Sequence, residues 1–243
     1  MLAPNPGPMT LDGTNSYLVA APGASGVVIV DPGPDDEGHL AALAAAGPVE
    51  LVLVTHRHAD HTDGVRRFAE LTGAPVRALD PAFAIGAAPL EPGETIEAAG
   101  ARIEVLGTPG HTADSVSFVL PGDGPHGSVL TGDTILGRGS TVVAHPDGSL
   151  GDYLDSLERL RALGAATALP AHGPAGARVD ELAAAYLAHR RARLDEVRAA
   201  LAQLGDDAPV EAVTDAVYPE VPASIRFAAE ASMRAQLAYL RGA

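Results

Sequence analysis

Short apolar runs alternate with longer amphipathic stretches through residues 1–175. The predicted strands, most of them rich in β-branched residues, lie at 17–20, 27–30, 51–54, 76–79, 103–106, 116–120, 128–131 and 166–169. Helices are predicted at 37–46, 64–71 and 153–163, and leucines at 154, 157, 160 and 163 share one face of the last. The continuous apolar run 51–54 indicates a strand buried on both faces. Alternating strands and helices predict a layered α/β domain.

Beyond residue 178 the pattern is almost purely helical. Helices are predicted at 178–204, ended by Gly205, and at 210–217 and 224–240. This change predicts one domain at 1–175 and a C-terminal helical domain at 176–243. Seven apolar residues of the tail can pack it onto the main domain, with a dimer interface as the alternative: Tyr186, Leu194, Val197, Phe227, Met233, Leu237 and Leu240.

The composition limits the classes of partner. The formal net charge is −15, and all 16 basic residues are arginines. Such a charge repels polyanions and argues against a broad nucleic-acid surface. The absence of cysteine excludes disulfides and thiolate metal ligands. The sequence opens with no basic and apolar leader, and no apolar run approaches the roughly 20 residues of a membrane span, so we expect a cytoplasmic protein without a membrane segment.

The densest polar cluster directly follows the predicted strand 51–54. The run His56-Arg57-His58-Ala59-Asp60-His61 places three imidazoles and a carboxylate within six residues, which suits zinc or another borderline divalent metal. In a loop after a strand, His56 and His58 can point to one position while Asp60 and His61 reach a second. The alternative is a solvated polar loop.

Three further candidates, His111, Asp133 and His172, each lie beside a glycine at a predicted strand end. Each one alone is better explained as a capping or hydrogen-bonded residue. Together with the 56–61 cluster, in this order along the chain, they favour a shared metal site. The histidines at 39, 126 and 145 are interpreted as ordinary surface or loop residues.

The imidazoles of a metal site need outer partners that fix their orientation. By position alone the candidates are Asp31, Thr55 and Thr131, and capping of strand ends explains them equally well. The arginines at 190, 191, 193 and 198 are interleaved with acidic residues, which favours a solvated face of salt bridges over an RNA-binding surface.

The ordered motifs resemble those of metallo-β-lactamase-fold hydrolases. The cluster at 56–61 fits the His-X-His-X-Asp-His signature of that superfamily, and the segments Gly110-His111-Thr112, Gly132-Asp133 and Ala171-His172-Gly173 fit its later motifs. Within the superfamily the chain most resembles the β-lactamase-like protein 2 group, near glyoxalase II. The residues that carry this likeness are 5–17, 134–139, 153–157 and His189-Arg190.

The resemblance implies a four-layer αβ/βα sandwich with a small C-terminal helical, winged-helix-like domain. It implies a first zinc on His56, His58 and His111, and a second on Asp60, His61 and His172. Asp133 would bridge both ions together with a water or hydroxide. Asp60 and Asp133 are then the predicted catalytic carboxylates, and iron or manganese could replace zinc.

The expected activity is hydrolysis of a thioester or ester carried by a small molecule or a carrier protein. The alternative that the resemblance also implies is endoribonuclease action on single-stranded RNA. The acidic charge and the absence of lysine disfavour RNA, and little sequence remains after the last predicted helix for the hairpin of a winged helix. A non-catalytic binding module is a third interpretation, against which the complete set of seven candidate ligands argues. The oligomeric state stays open.

Overall fold

Nine strands form two sheets in a computed structural model of the chain, which describes residues 1–242. The first sheet has the order β1 (Tyr17–Val19), β2 (Val27–Val30), β3 (Val49–Leu53) and β4 (Val76–Arg77), and all its pairs except the first are parallel. The second has the order β5 (Thr95–Ala98), β6 (Ala101–Gly107), β7 (Val116–Leu120), β8 (Ser128–Gly132) and β9 (Thr167–Pro170). Only its last pair is parallel.

The alternation of side chains along β2 explains how the two sheets pack. Val28 and Val30 belong to the core between the sheets, where they pack with residues such as Phe118 of β7. Val27 and Ile29 belong to the core between the first sheet and its helices. Because all four valine and isoleucine side chains are buried, β2 lies between two layers. The run 51–54 is buried throughout, as predicted.

Helices cover the outer face of each sheet. On the first sheet lie α1 (Glu37–Ala44) and α3 (Val65–Thr72), packed through Leu40 and Phe68. On the second lie α4 (Leu150–Arg161) and the first part of α5 (Val179–Leu204). This arrangement confirms the predicted four-layer αβ/βα sandwich. Helix α4 begins at Leu150 rather than at 153 because the Ser149 side chain caps it.

The C-terminal region is helical, as predicted, and α6 (Val210–Val217) and α7 (Arg226–Arg241) follow α5. Tyr186 and Leu194 of α5 pack with α4, whereas Met233 and Leu237 of α7 form a second small core with the end of α5. Phe227 is 61% exposed, so the prediction that it packs inward is wrong. Since the main core continues into α5, the domain boundary at residue 175 stays a prediction. No strand follows α5 in residues 1–242.

A few elements differ from the prediction. Strand β5 was not predicted, because only Ile96 among its residues is a large apolar side chain, and pairing with β6 creates it. The predicted strand 76–79 is shorter, since β4 ends at Arg77 and a 3-10 turn follows at Pro81–Phe83. No helix within residues 1–242 combines the length and apolar character that crossing a membrane requires.

Candidate metal centre

Four chain segments meet at one edge of the sandwich. Strand β3 leads into the cluster at 56–61, part of which forms a single helical turn, α2 (Ala59–Thr62). Strands β8 and β9 are parallel neighbours, so the loops after them, which carry Asp133 and His172, emerge side by side. The N–H of Val116, at the start of β7, donates to the carbonyl of Thr55 over 2.9 Å and joins the two sheets here.

All seven predicted ligands come together at this edge, in two adjoining groups. The first group is His56, His58, His111 and Asp133, and the second is Asp60, His61 and His172. Within each group the candidate ligand atoms lie within 4.8 Å of one another. This is the division that the resemblance implied, and the arrangement is compatible with a dinuclear metal site. The roles of the individual residues stay a prediction.

Asp133 lies between the two groups. Its Oδ1 is 3.6 Å from His61 Nε2 and 3.3 Å from His172 Nε2, both in the second group. Its Oδ2 is 3.6 Å from His111 Nε2 in the first group. The two oxygens of one carboxylate therefore face one group each.

Backbone carbonyls set the orientation of two imidazoles. His111 Nδ1 lies 2.7 Å from the carbonyl oxygen of Val142, and His172 Nδ1 lies 3.1 Å from that of Gly13. A carbonyl only accepts, so each Nδ1 carries the proton and donates it. When these imidazoles are neutral, each Nε2 presents a lone pair to the centre, which is the arrangement that metal-ligating histidines require.

Several buried polar atoms at the centre have no hydrogen-bond partner, and a bound cation would be a partner for them. His61 Nε2, His172 Nε2 and Asp133 Oδ1 are buried without a hydrogen-bond partner in the described chain. His58 Nδ1 lies 3.0 Å from Nε2 of both His56 and His111, yet one nitrogen cannot donate to two neighbours. Buried polar atoms left unpaired are costly, whereas converging lone pairs suit a metal. The residues fit a pair of metal ions.

The electrostatics of the second group favour positive charge. Burial alone would raise the pKa of Asp60, but the charge of His61 and the close approach of His172 Nε2, 3.1 Å from Oδ2, outweigh it and hold this pKa far below its usual range. Burial lowers the pKa of His172, yet the nearby carboxylates of Asp133 and Asp60, 3.3 and 3.1 Å from its Nε2, raise it to about 10. The carboxylates thus attract protons to these imidazoles, or a metal cation in their place.

The first group behaves differently. Burial, followed by the charge of His111, lowers the pKa of His58 to about 4. Burial likewise lowers the pKa of His56 well below its ordinary value. Both imidazoles are therefore neutral at physiological pH, which is the protonation state that metal ligation needs.

Two of the three predicted outer partners contact imidazoles. Asp31 Oδ2 lies 2.9 Å from His61 Nδ1 and accepts from the Thr55 hydroxyl at 2.7 Å, while Thr55 Oγ1 is also 3.1 Å from His56 Nδ1. Asp31 adopts a φ of 52°, a backbone conformation uncommon outside glycine, to aim its carboxylate at both. Thr131 fits the alternative interpretation, capping at a strand end, because its hydroxyl donates to the carbonyl of Ile135.

Two residues predicted to be surface groups are buried. His39 of α1 is 7% exposed, and its Nε2 lies 2.8 Å from the hydroxyl of Ser16. Arg190 is 4% exposed, in contrast to Arg191 and Arg198, which form the expected salt bridges at the surface. The Arg190 guanidinium donates to the carbonyl of Thr141, beside the Val142 carbonyl that orients a candidate ligand.

Gly110 allows the candidate ligand His111 to reach the centre. Its φ is +132°, and a Cβ at this position would lie 2.3 Å from the Cα of Tyr153 in α4. Only glycine accommodates both the conformation and the close approach. The helix under this loop thereby contributes to the position of His111.

A four-layer αβ/βα sandwich with adjoining groups of histidine and aspartate at one edge defines a class of metal-binding hydrolases. Residues 9–172 match the family described as the metallo-beta-lactamase superfamily. The chain belongs to this superfamily.

Individual relatives agree with this assignment. The chain is 30% identical to the Beta-lactamase-like protein 2 homolog of Caenorhabditis elegans over 94% of its own length and 79% of the relative. The crystal structure of the metallo-beta-lactamase family protein TTHA1429 from Thermus thermophilus superposes with a TM-score of 0.80 at 29% identity, covering 99% of this chain and 92% of that one. The structure of TTHA1623 in a di-iron-bound form gives 0.59 at 29% identity, over 74% and 95%.

Proposed function

We propose that this protein is a dinuclear zinc hydrolase that cleaves a thioester or ester of a small molecule or carrier. The observation that carries the proposal is the position of Asp133, whose two oxygens each face one group of candidate ligands. A carboxylate in that position can bridge two cations. The converging imidazoles around it complete a set that suits zinc.

His56, His58 and His111 would hold the first ion, Asp60, His61 and His172 the second, and Asp133 both. When bound, the two ions would lower the pKa of a water molecule to near neutrality and polarise the carbonyl that it attacks. The side chain of Asp133 is 11% exposed, whereas that of Asp60 is 25% exposed. Asp60 is therefore the carboxylate that could face substrate and orient a nucleophile, and Asp133 is the one that would hold both ions.

Zinc is the proposed metal, and the same ligands also suit iron and manganese. The similar structure of TTHA1623 is of a di-iron-bound form, so iron is the metal in that relative. The acidic surface supports a neutral or modestly charged substrate rather than a nucleic acid, because a net charge of −15 repels polyanions.

The experiment combines elemental analysis of the purified protein with hydrolysis of acyl-glutathione, acyl-coenzyme A and single-stranded RNA, with and without chelator. We expect two zinc ions per chain and chelator-sensitive thioester hydrolysis. Asp133→Asn should lose metal and at least about 100-fold of the activity. Asp155→Asn, at an exposed position of α4, is the matched control and should retain both.

Three results would contradict the proposal at different levels. RNA cleavage without thioester cleavage would show that the substrate is RNA rather than a thioester or ester. Iron in place of zinc, with no hydrolytic activity, would indicate a redox enzyme rather than a hydrolase. A protein that binds no metal after zinc is added would remove the metal centre altogether.

A further inference from the structure

Three consecutive residues that precede β1, segment 13–15, contact the second ligand group. The Gly13 carbonyl accepts from His172 Nδ1 at 3.1 Å, and the Thr14 hydroxyl lies 3.2 Å from Asp60 Oδ2. The Asn15 side-chain amide donates to two carbonyls that flank His172, those of Pro170 and Gly173, each at 3.0 Å. Among the hydrogen bonds of residues 1–242, those of segment 13–15 reach no imidazole of the first group.

The direction of the Thr14 hydrogen bond follows from its other partner. Thr14 is fully buried, and its Oγ1 accepts from the Asn5 side-chain amide at 3.0 Å. The backbone N–H of Thr14 donates back to Asn5 Oδ1 at 2.9 Å. The hydroxyl proton is therefore left for Asp60, whose ionised carboxylate can only accept.

Gly13 is the reason that the segment can approach so closely. Its φ is +135°, and a Cβ there would lie 2.2 Å from the carbonyl oxygen of Ala3. Any side chain at this position would push the N-terminal residues away and displace the Gly13 carbonyl from His172. The segment is therefore shaped to contact the second ligand group.

We propose that Thr14 is a positioning residue for Asp60, and that segment 13–15 sets the affinity of the second metal position independently of the first. This inference rests on the proposed dinuclear centre. A carboxylate oxygen has two lone pairs, so the Thr14 hydroxyl can occupy one on Asp60 Oδ2 while the other faces His61 and His172, 3.3 and 3.1 Å away.

The first ligand group is oriented by other residues, which makes the two positions separable. His111 is held by the Val142 carbonyl, and His56 lies against the Thr55 hydroxyl. Loss of the Thr14 hydroxyl leaves both contacts in place. Its effect should therefore fall on one metal of the two.

The test is a zinc titration of the metal-free protein against a competing chelator, with stoichiometry from elemental analysis. Thr14→Val keeps the shape of the side chain and removes the donor, so we expect the second zinc to bind about 10–100-fold more weakly and the first to bind unchanged. Thr14→Ser retains the hydroxyl and should restore binding. Asn5→Ala frees the Thr14 hydroxyl to rotate and should give a smaller loss at the same position.

Thr214→Val is the matched control. Thr214 is also fully buried and hydrogen-bonded, to the Val210 carbonyl at 2.7 Å, but it lies in α6. We expect it to cost stability, measured by urea unfolding, without changing either zinc affinity. A general loss of packing would make Thr14→Val and Thr214→Val alike.

The inference is overturned if Thr14→Val and Asn5→Ala bind both zinc ions with wild-type affinity, or if they weaken both ions equally. If the wild-type protein binds two zinc ions, such a result rejects the role of Thr14 and leaves the dinuclear centre in place. A wild-type protein that binds fewer than two overturns the dinuclear centre itself, and this inference with it.

Discussion

Asp31→Asn tests whether the outer partners of the candidate ligands control metal binding. Asp31 accepts three hydrogen bonds, from the Thr55 N–H at 2.8 Å, the Thr55 hydroxyl at 2.7 Å and His61 Nδ1 at 2.9 Å. Asparagine has one accepting oxygen. If that oxygen stays on the Thr55 N–H, the amide NH2 faces the other two donors.

The expected magnitudes follow from this geometry. The Thr55 hydroxyl can rotate and accept, but His61 Nδ1 can accept only if its proton moves to Nε2. That tautomer has no lone pair for a metal, so affinity at the second position should fall by about 10–100-fold. The metal-free protein loses one buried charge-assisted hydrogen bond, which contributes about 1.5–3 kcal/mol to the free energy of unfolding.

The two quantities are measured by zinc titration and by urea unfolding without metal. Asp35→Asn is the control, because Asp35 forms an exposed ion pair with Arg67 at 3.3 Å. Such pairs contribute at most about 1 kcal/mol, and zinc affinity should not change. The reasoning is refuted if Asp31→Asn is folded and binds both zinc ions as tightly as wild type, since His61 would then not depend on Asp31.

Three other perturbations have defined outcomes. Arg190→Met removes the donor to the Thr141 carbonyl. We expect the free energy of unfolding, measured in urea, to fall by about 1–3 kcal/mol and zinc to bind more weakly. Unchanged zinc affinity would show that Arg190 acts on stability alone. Gly110→Ala places a Cβ 2.3 Å from the Cα of Tyr153 and should lower the free energy of unfolding by about 1–3 kcal/mol. Gly139→Ala, with open space around it, should lower it less. Equal losses in the two variants would contradict the close approach at Gly110. Chelation should lower the thermal unfolding temperature of the wild-type protein, and an unchanged temperature would mean that no metal is bound preferentially by the folded state.

Much of the fold could be predicted because its determinants are local. The buried strand at 51–54 and the leucine face of α4 follow from side-chain periodicity, which neighbouring residues define. Strand β5 could not be predicted, since one large apolar residue in four is too weak a pattern and pairing with β6 decides it. Phe227 fits a helical spacing yet is exposed, because periodicity does not say which face finds a partner.

The sequence alone determined which residues are available for the metal centre. Three imidazoles and a carboxylate within six residues are close together in any conformation, and the later candidates lie at strand ends in the expected order. Only the tertiary structure decided how they are held. The Gly13 carbonyl that orients His172 is 159 residues away along the chain. Arg190 is 49 residues from Thr141, whose carbonyl it contacts. Such contacts depend on how the sheets and helices pack, and no pattern of neighbouring residues encodes them.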